Sequence, residues 1–69
     1  MSRLIITPKD VEVVLSVSAS YARQIVRVIK WKNNKEKYQK ITISEFCRYM
    51  GLEVSETRAE LEKFYKNKL

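Results

Sequence analysis

The chain has 69 residues, one glycine, one cysteine, no histidine and a formal net charge of +6. A chain of that length makes one small domain that buries only about 60% of its unfolded surface, so self-association is an expected source of extra stability. A lone Cys47 excludes an intrachain disulfide, and without histidine there is neither a zinc site nor a histidine-activated nucleophile.

In chain order, residues 2–6 form a short arm, basic at Arg3 and apolar at Leu4, Ile5 and Ile6. Thr7-Pro8-Lys9-Asp10 then announces a helix. Thr7 can cap it, Pro8 suits the first helical position, Asp10 closes a capping box, and Ile6 and Val11 sit where a hydrophobic staple spans the cap. The predicted helix runs from Pro8 to Leu15, with Val11, Val14 and Leu15 on its apolar face. Ser16-Val17 is the turn, and Ser18 caps a second helix from Ala19 to Trp31 or Lys32, which stops at Asn33-Asn34, where Asn tolerates a left-handed backbone. Its inner stripe is Ala22, Ile25, Val26 and Ile29; its outer stripe is Ala19, Ser20, Arg23, Gln24, Arg27 and Lys30.

The next segment, Asn33 to Lys40, is polar and mostly basic, long enough for a mobile loop. Residues 39–43 alternate apolar and polar, as a short strand pairing with residues 3–6 would. The second half then echoes the first at an offset of 35, Ile41-Thr42-Ile43-Ser44-Glu45-Phe46 answering Ile6-Thr7-Pro8-Lys9-Asp10-Val11. Thr42 caps and Glu45 closes the box of a third helix that ends at Met50, where Gly51 supplies a positive φ. Ser55 is expected to cap a fourth helix from Glu56 to about Asn67, after a turn one residue longer than the first (Glu53). Val54 and Ala59 then echo Val17 and Ala22, and Ala59, Leu61, Phe64 and Tyr65 face inward. Cys47 falls on an apolar face as a small core residue. The expected fold is all-α: one domain over residues 1–69, with a helical hairpin at 7–33 and a second of similar plan at 41–67.

Charge is segregated along this plan. Residues 1–40 carry nine basic and three acidic side chains, whereas residues 41–69 carry five of each. All the excess therefore lies in the half with the first hairpin, which points to a polyanion-facing surface. No helix here has the bulky aromatic face of an interfacial membrane helix. No apolar run approaches the ~20 residues that span a bilayer, and the N-terminus lacks a signal-peptide core. The expectation is a soluble cytoplasmic protein with no membrane partner, no small-molecule substrate, no metal and no cofactor; with neither a Gly-rich phosphate loop nor a recognisable acidic pair, it is not expected to be an enzyme.

The run Val11 to Val26, VEVVLSVSASYARQIV, resembles the helix-turn-helix of DNA-binding proteins. Glu12 and Ser16 stand where that family usually has a small residue and a glycine; the second hairpin has Cys47 and Gly51 there. The resemblance implies double-stranded DNA as partner, a homodimer, and a second helix lying in the major groove with its N-terminal residues at the base edges. On that reading Ser18, Ala19, Ser20, Arg23, Gln24 and Arg27 contact bases. Arg3, Lys9, Tyr21, Lys30, Lys32, Lys35 and Lys37 contact phosphates, and Lys40 belongs to the same basic loop. Trp31 and Tyr38 have the chemistry to stack on bases, but aromatics near a helix end usually cover the core, and that is what is expected of them.

The function expected is a small sequence-specific transcriptional regulator of phage or mobile-element type. Size and basicity also suit an excisionase-like recombination directionality factor, which bends DNA. From a different class, the neutral second half suits a protein-interaction adaptor using the last helix.

Overall fold

The computed structural model describes residues 4–67. A two-residue strand β1 (Ile5–Ile6) leads into helix α1 (Pro8–Leu15), and α2 (Ala19–Lys32) follows. A second short strand β2 (Ile41–Thr42) leads into α3 (Ile43–Met50) and α4 (Val54–Asn67). The architecture is that of a small, mostly helical domain. The strands pair antiparallel, Ile5 with Thr42 and Ile6 with Ile41, and the Ile43 N–H donates to the Leu4 carbonyl at 2.9 Å.

Both capping boxes form. Thr7 Oγ1 accepts from the Asp10 N–H at 3.2 Å while an Asp10 carboxylate oxygen accepts from the Thr7 N–H at 2.9 Å. At the start of α3 the reciprocal pair between Thr42 and Glu45 measures 3.0 and 2.9 Å. These bonds satisfy N–H groups that a helix leaves unpaired in its first turn. Ser18 Oγ caps α2 from 3.2 Å off the Tyr21 N–H. Helix α1 ends at Ser16, which is left-handed at φ 56°, and α3 ends at Gly51 with φ 74°. Only glycine adopts that region without steric cost, so Ser16 holds a strained turn.

The core joins both helix pairs: Val11 of α1, Ala22, Ile25, Val26 and Ile29 of α2, Ile43, Phe46 and Cys47 of α3, Leu61 of α4, and Ile6 and Ile41 of the strands. Helices pack across as well as within the pairs, α1 against α4 and α2 against α3.

The fourth helix departs from expectation. It begins at Val54, so Ser55 is helical and exposed rather than a cap, and the turns Ser16–Ser18 and Gly51–Glu53 are of equal length. There is no extra residue. The 35-residue offset therefore holds through all four helices. It aligns Thr57, not Ala59, with Ala22: Thr57 is 4% exposed, and Ala59 faces solvent. Thr57 is tolerated in the core because its hydroxyl donates to the Glu53 carbonyl at 2.9 Å and accepts from the Cys47 thiol at 3.4 Å. Among the described residues, the strand pairing expected over residues 39–43 and 3–6 shrinks to two residues on each side.

Candidate nucleic-acid interface

Helix α2 separates its residues cleanly. Ala22, Ile25, Val26 and Ile29 are buried; Ser18, Ala19, Ser20, Tyr21, Arg23, Gln24 and Arg27 are exposed. Directly opposite the buried stripe, Ser20, Gln24, Arg27 and Trp31 follow one another at i, i+4, i+7 and i+11, which places them on one ridge of a helix with 3.6 residues per turn. Arg23 and Arg27 stand one turn apart on this side, and their guanidiniums have no ion pair among the described residues. The first turn of α2 contains no acidic residue, so the positive end of the helix dipole is not offset by a carboxylate there. The Ser18 oxygen is already an acceptor in its own cap, which leaves its O–H as the group free to donate outward.

The cations expected at phosphates divide into two groups. Lys9, Lys32 and Lys37 are exposed, as is Tyr21. Lys30 and Lys35 turn back onto the protein instead. The Lys30 ammonium donates to the Lys37 carbonyl at 3.0 Å. The Lys35 ammonium lies 3.1 Å from a Glu45 carboxylate oxygen and donates to the Lys40 carbonyl at 2.9 Å. Arg3 lies outside the described residues. Burial raises the pKa of the Glu45 carboxyl, but the Thr42 N–H and the Lys35 ammonium outweigh it and hold the group below its ordinary value.

These contacts fasten the loop that the sequence suggested was mobile. The Lys35 N–H donates to the Lys30 carbonyl, the Gln39 N–H to the Glu36 carbonyl, and the Glu36 N–H to the Gln39 side chain at 2.7 Å. The chain after α2 is thus folded back on that helix's C-terminal end, with Asn34 at φ 54° making the reversal.

Trp31 and Tyr38 correct an expectation. Neither covers the core: Trp31 is 76% exposed and Tyr38 73%. The signal was present in the spacing, since Trp31 falls on the outward ridge with Gln24 and Arg27 rather than on the Ala22–Ile29 stripe.

The second pair presents another face. Glu56, Glu60 and Glu62 of α4 are exposed, and a shallow groove of about 200 Å³ is lined by Val14, Leu52, Glu53, Glu56, Thr57 and Glu60. Such a rim repels phosphate. Among the described residues no cluster of His, Cys, Asp or Glu is arranged to hold a metal ion, and no helix is long and apolar enough to cross a membrane. In the comparisons with known proteins, no family model, no curated protein and no solved structure matches this chain.

Proposed function

We propose that the protein binds double-stranded DNA through the exposed side of α2, as a small sequence-specific regulator. The observation that carries this reading is the partition of α2: a fully apolar inner stripe against an outer ridge of short polar, amide and guanidinium groups, in the half of the chain that holds all the excess positive charge. A helix entering the major groove needs this composition. Ser20 and the Ala19 methyl fit close to base edges, the Gln24 amide matches the paired groups of adenine, and Arg27 or Arg23 matches the two acceptors of guanine. Lys9, Lys32, Lys37 and Tyr21 are exposed and suit phosphates, which set register without reading sequence. Binding as a homodimer, two copies would present two such helices to a two-fold site; an excisionase-like factor would instead occupy adjacent sites and bend the duplex.

Titration of 15N-labelled protein with a 20-base-pair duplex at two salt concentrations tests this. Shifts should centre on residues 18–30 and shrink steeply as salt rises. Absence of shifts at low salt, or shifts confined to α4, would end the DNA reading. The latter outcome would favour an adaptor acting through the acidic-rimmed groove beside Val14 and Leu52.

A further inference from the structure

The outward ridge of α2 does not end in another polar group. It ends in Trp31, the one tryptophan of the chain, with roughly three quarters of its surface in solvent. Isolated exposed apolar residues are ordinary, but this one has company of a particular kind. The bond from the Lys30 ammonium to the Lys37 carbonyl, 3.0 Å long, joins the residue before Trp31 to the residue before Tyr38. That bond brings the loop segment before Tyr38 back to the end of α2 that carries Trp31, and Tyr38 is almost as exposed as Trp31. Lys32 follows Trp31, Lys37 precedes Tyr38 and Lys40 lies two residues after it, all exposed.

We propose that Trp31 and Tyr38, set among Lys32, Lys37 and Lys40, form a stacking platform for an unpaired base of DNA, beyond the duplex held along the rest of α2. This deepens, and rests on, the assignment of α2 to DNA. Exposed rings interleaved with cations are what single-stranded nucleic acid requires, because every base has a π-face to stack and a phosphate beside it to neutralise. The same charges argue against the other occupants of an exposed aromatic pair. A second copy docking here face to face would bring its own Lys32, Lys37 and Lys40 against these three. A lipid surface calls for a continuous apolar face on the helix, and the ridge leading to Trp31 is Ser20, Gln24 and Arg27. The loop that carries Tyr38 is closed on itself by the Glu36–Gln39 bonds, so little ordering is needed when a base arrives.

The lone tryptophan reports directly on the contact. The full chain is titrated with three end-labelled oligonucleotides: a 20-base-pair duplex, the same duplex with one unpaired thymine bulge, and a single-stranded 12-mer of thymidine. Anisotropy of the label gives binding, and Trp31 emission gives stacking. Expected are strong quenching with the bulged and single-stranded DNA, and an affinity for the bulged duplex about tenfold above the paired one. Trp31→Leu should abolish that advantage while leaving the paired duplex unchanged; Trp31→Phe, which keeps a ring, should retain most of it. At so exposed a site neither change should unfold the chain, which circular dichroism verifies. DNA bound with Trp31 emission unchanged, or with no preference for the bulge, overturns the platform and leaves α2 as a duplex reader. Failure to bind any of the three overturns both assignments. A blue shift with phosphatidylglycerol vesicles, without quenching by DNA, overturns it in favour of a lipid surface.

Discussion

The two helix pairs share one frame and differ in what they show to solvent. At the constant offset of 35, α1 and α2 (Pro8–Leu15, Ala19–Lys32) correspond to α3 and α4 (Ile43–Met50, Val54–Asn67), each helix matching its counterpart in length. Equivalent positions repeat the structural tasks: Thr7 and Thr42 cap, Asp10 and Glu45 close the boxes, Ser16 and Gly51 turn left-handed. The outer positions diverge after the first turn: Arg23 keeps an arginine at Arg58, but Arg27 answers to Glu62 and Gln24 to Ala59. A helix pair's fold depends on its caps and inner stripe, so its outer face is free to carry opposite charge without altering the architecture.

The boxes also differ in what reaches them from elsewhere. Asp10 is fully buried and accepts a 2.6 Å hydrogen bond from the Tyr65 hydroxyl, which ties α4 to α1 across 55 residues of sequence. Glu45 is half-buried and meets the Lys35 ammonium, which ties the start of the loop to α3. Each clasp runs from the segment late in one pair to the first helix of the other. The first is a part-buried bond to a buried acid and the second a solvent-reached ion pair, so they are expected to contribute unequally.

The comparison can be broken at its inner stripe first. Ile29 is fully buried, whereas its counterpart Phe64 is half-buried. Ile29→Ala should cost ~2–5 kcal/mol in urea unfolding, and Phe64→Ala clearly less despite the larger side chain removed. Equal losses would mean that the two pairs share the core evenly. The clasps come next. Tyr65→Phe should cost ~1.5–3 kcal/mol, against no more than about 1 kcal/mol for Lys35→Met, both read from thermal or urea midpoints; the reverse ranking would show that the loop, not α4, closes the domain.

At the turns, Ser16→Gly should stabilise and Gly51→Ala destabilise, each by ~1–2 kcal/mol. Beyond Gly51 and its own chain neighbours, nothing lies within 4 Å of where a Cβ at this position would sit, so backbone strain sets the second value. A neutral Gly51→Ala would place the cost elsewhere. The smallest effect is in pH. The Glu45 carboxyl is held below its ordinary value, so it contributes stability above the unfolded value of about 4.3, and that contribution fades as pH falls through the lower folded value. The stability gap between the native chain and Glu45→Gln should therefore narrow between pH 5 and pH 3, and urea midpoints across that range measure it. A gap that stays constant would show that Glu45 acts through shape rather than charge.

For binding, the outer faces make the same contrast. Gln24→Ala or Arg27→Ala should relax base preference at one position of a DNA site by ~1–3 kcal/mol, while Glu56→Ala should leave affinity undiminished; competition between sequence variants of the duplex, followed by anisotropy, separates the two.

What the sequence determined alone are the features whose partners lie within one turn of helix. The Thr7–Asp10 and Thr42–Glu45 boxes, the Ser18 cap, the stops at Ser16, Asn33–Asn34 and Gly51, and the Ala22–Ile29 stripe all follow from residue types three or four positions apart, and such interactions hold whatever the rest of the chain does. The start of α4 was not legible in this way. Ser55 looked like a cap, but Thr57 entered the core through the Cys47 thiol and the Glu53 carbonyl, and that set the helix start and its buried face. Tertiary structure alone also decided which basic groups are spent inside the molecule: Lys30 and Lys35 were indistinguishable by sequence from Lys32 and Lys37 until the loop folded back and brought the Lys37 and Lys40 carbonyls and Glu45 within reach. Trp31 stays in solvent by its place on the outward ridge, which the helical spacing carries by itself, whereas the exposure of Tyr38 followed only from the fold of the loop that holds it.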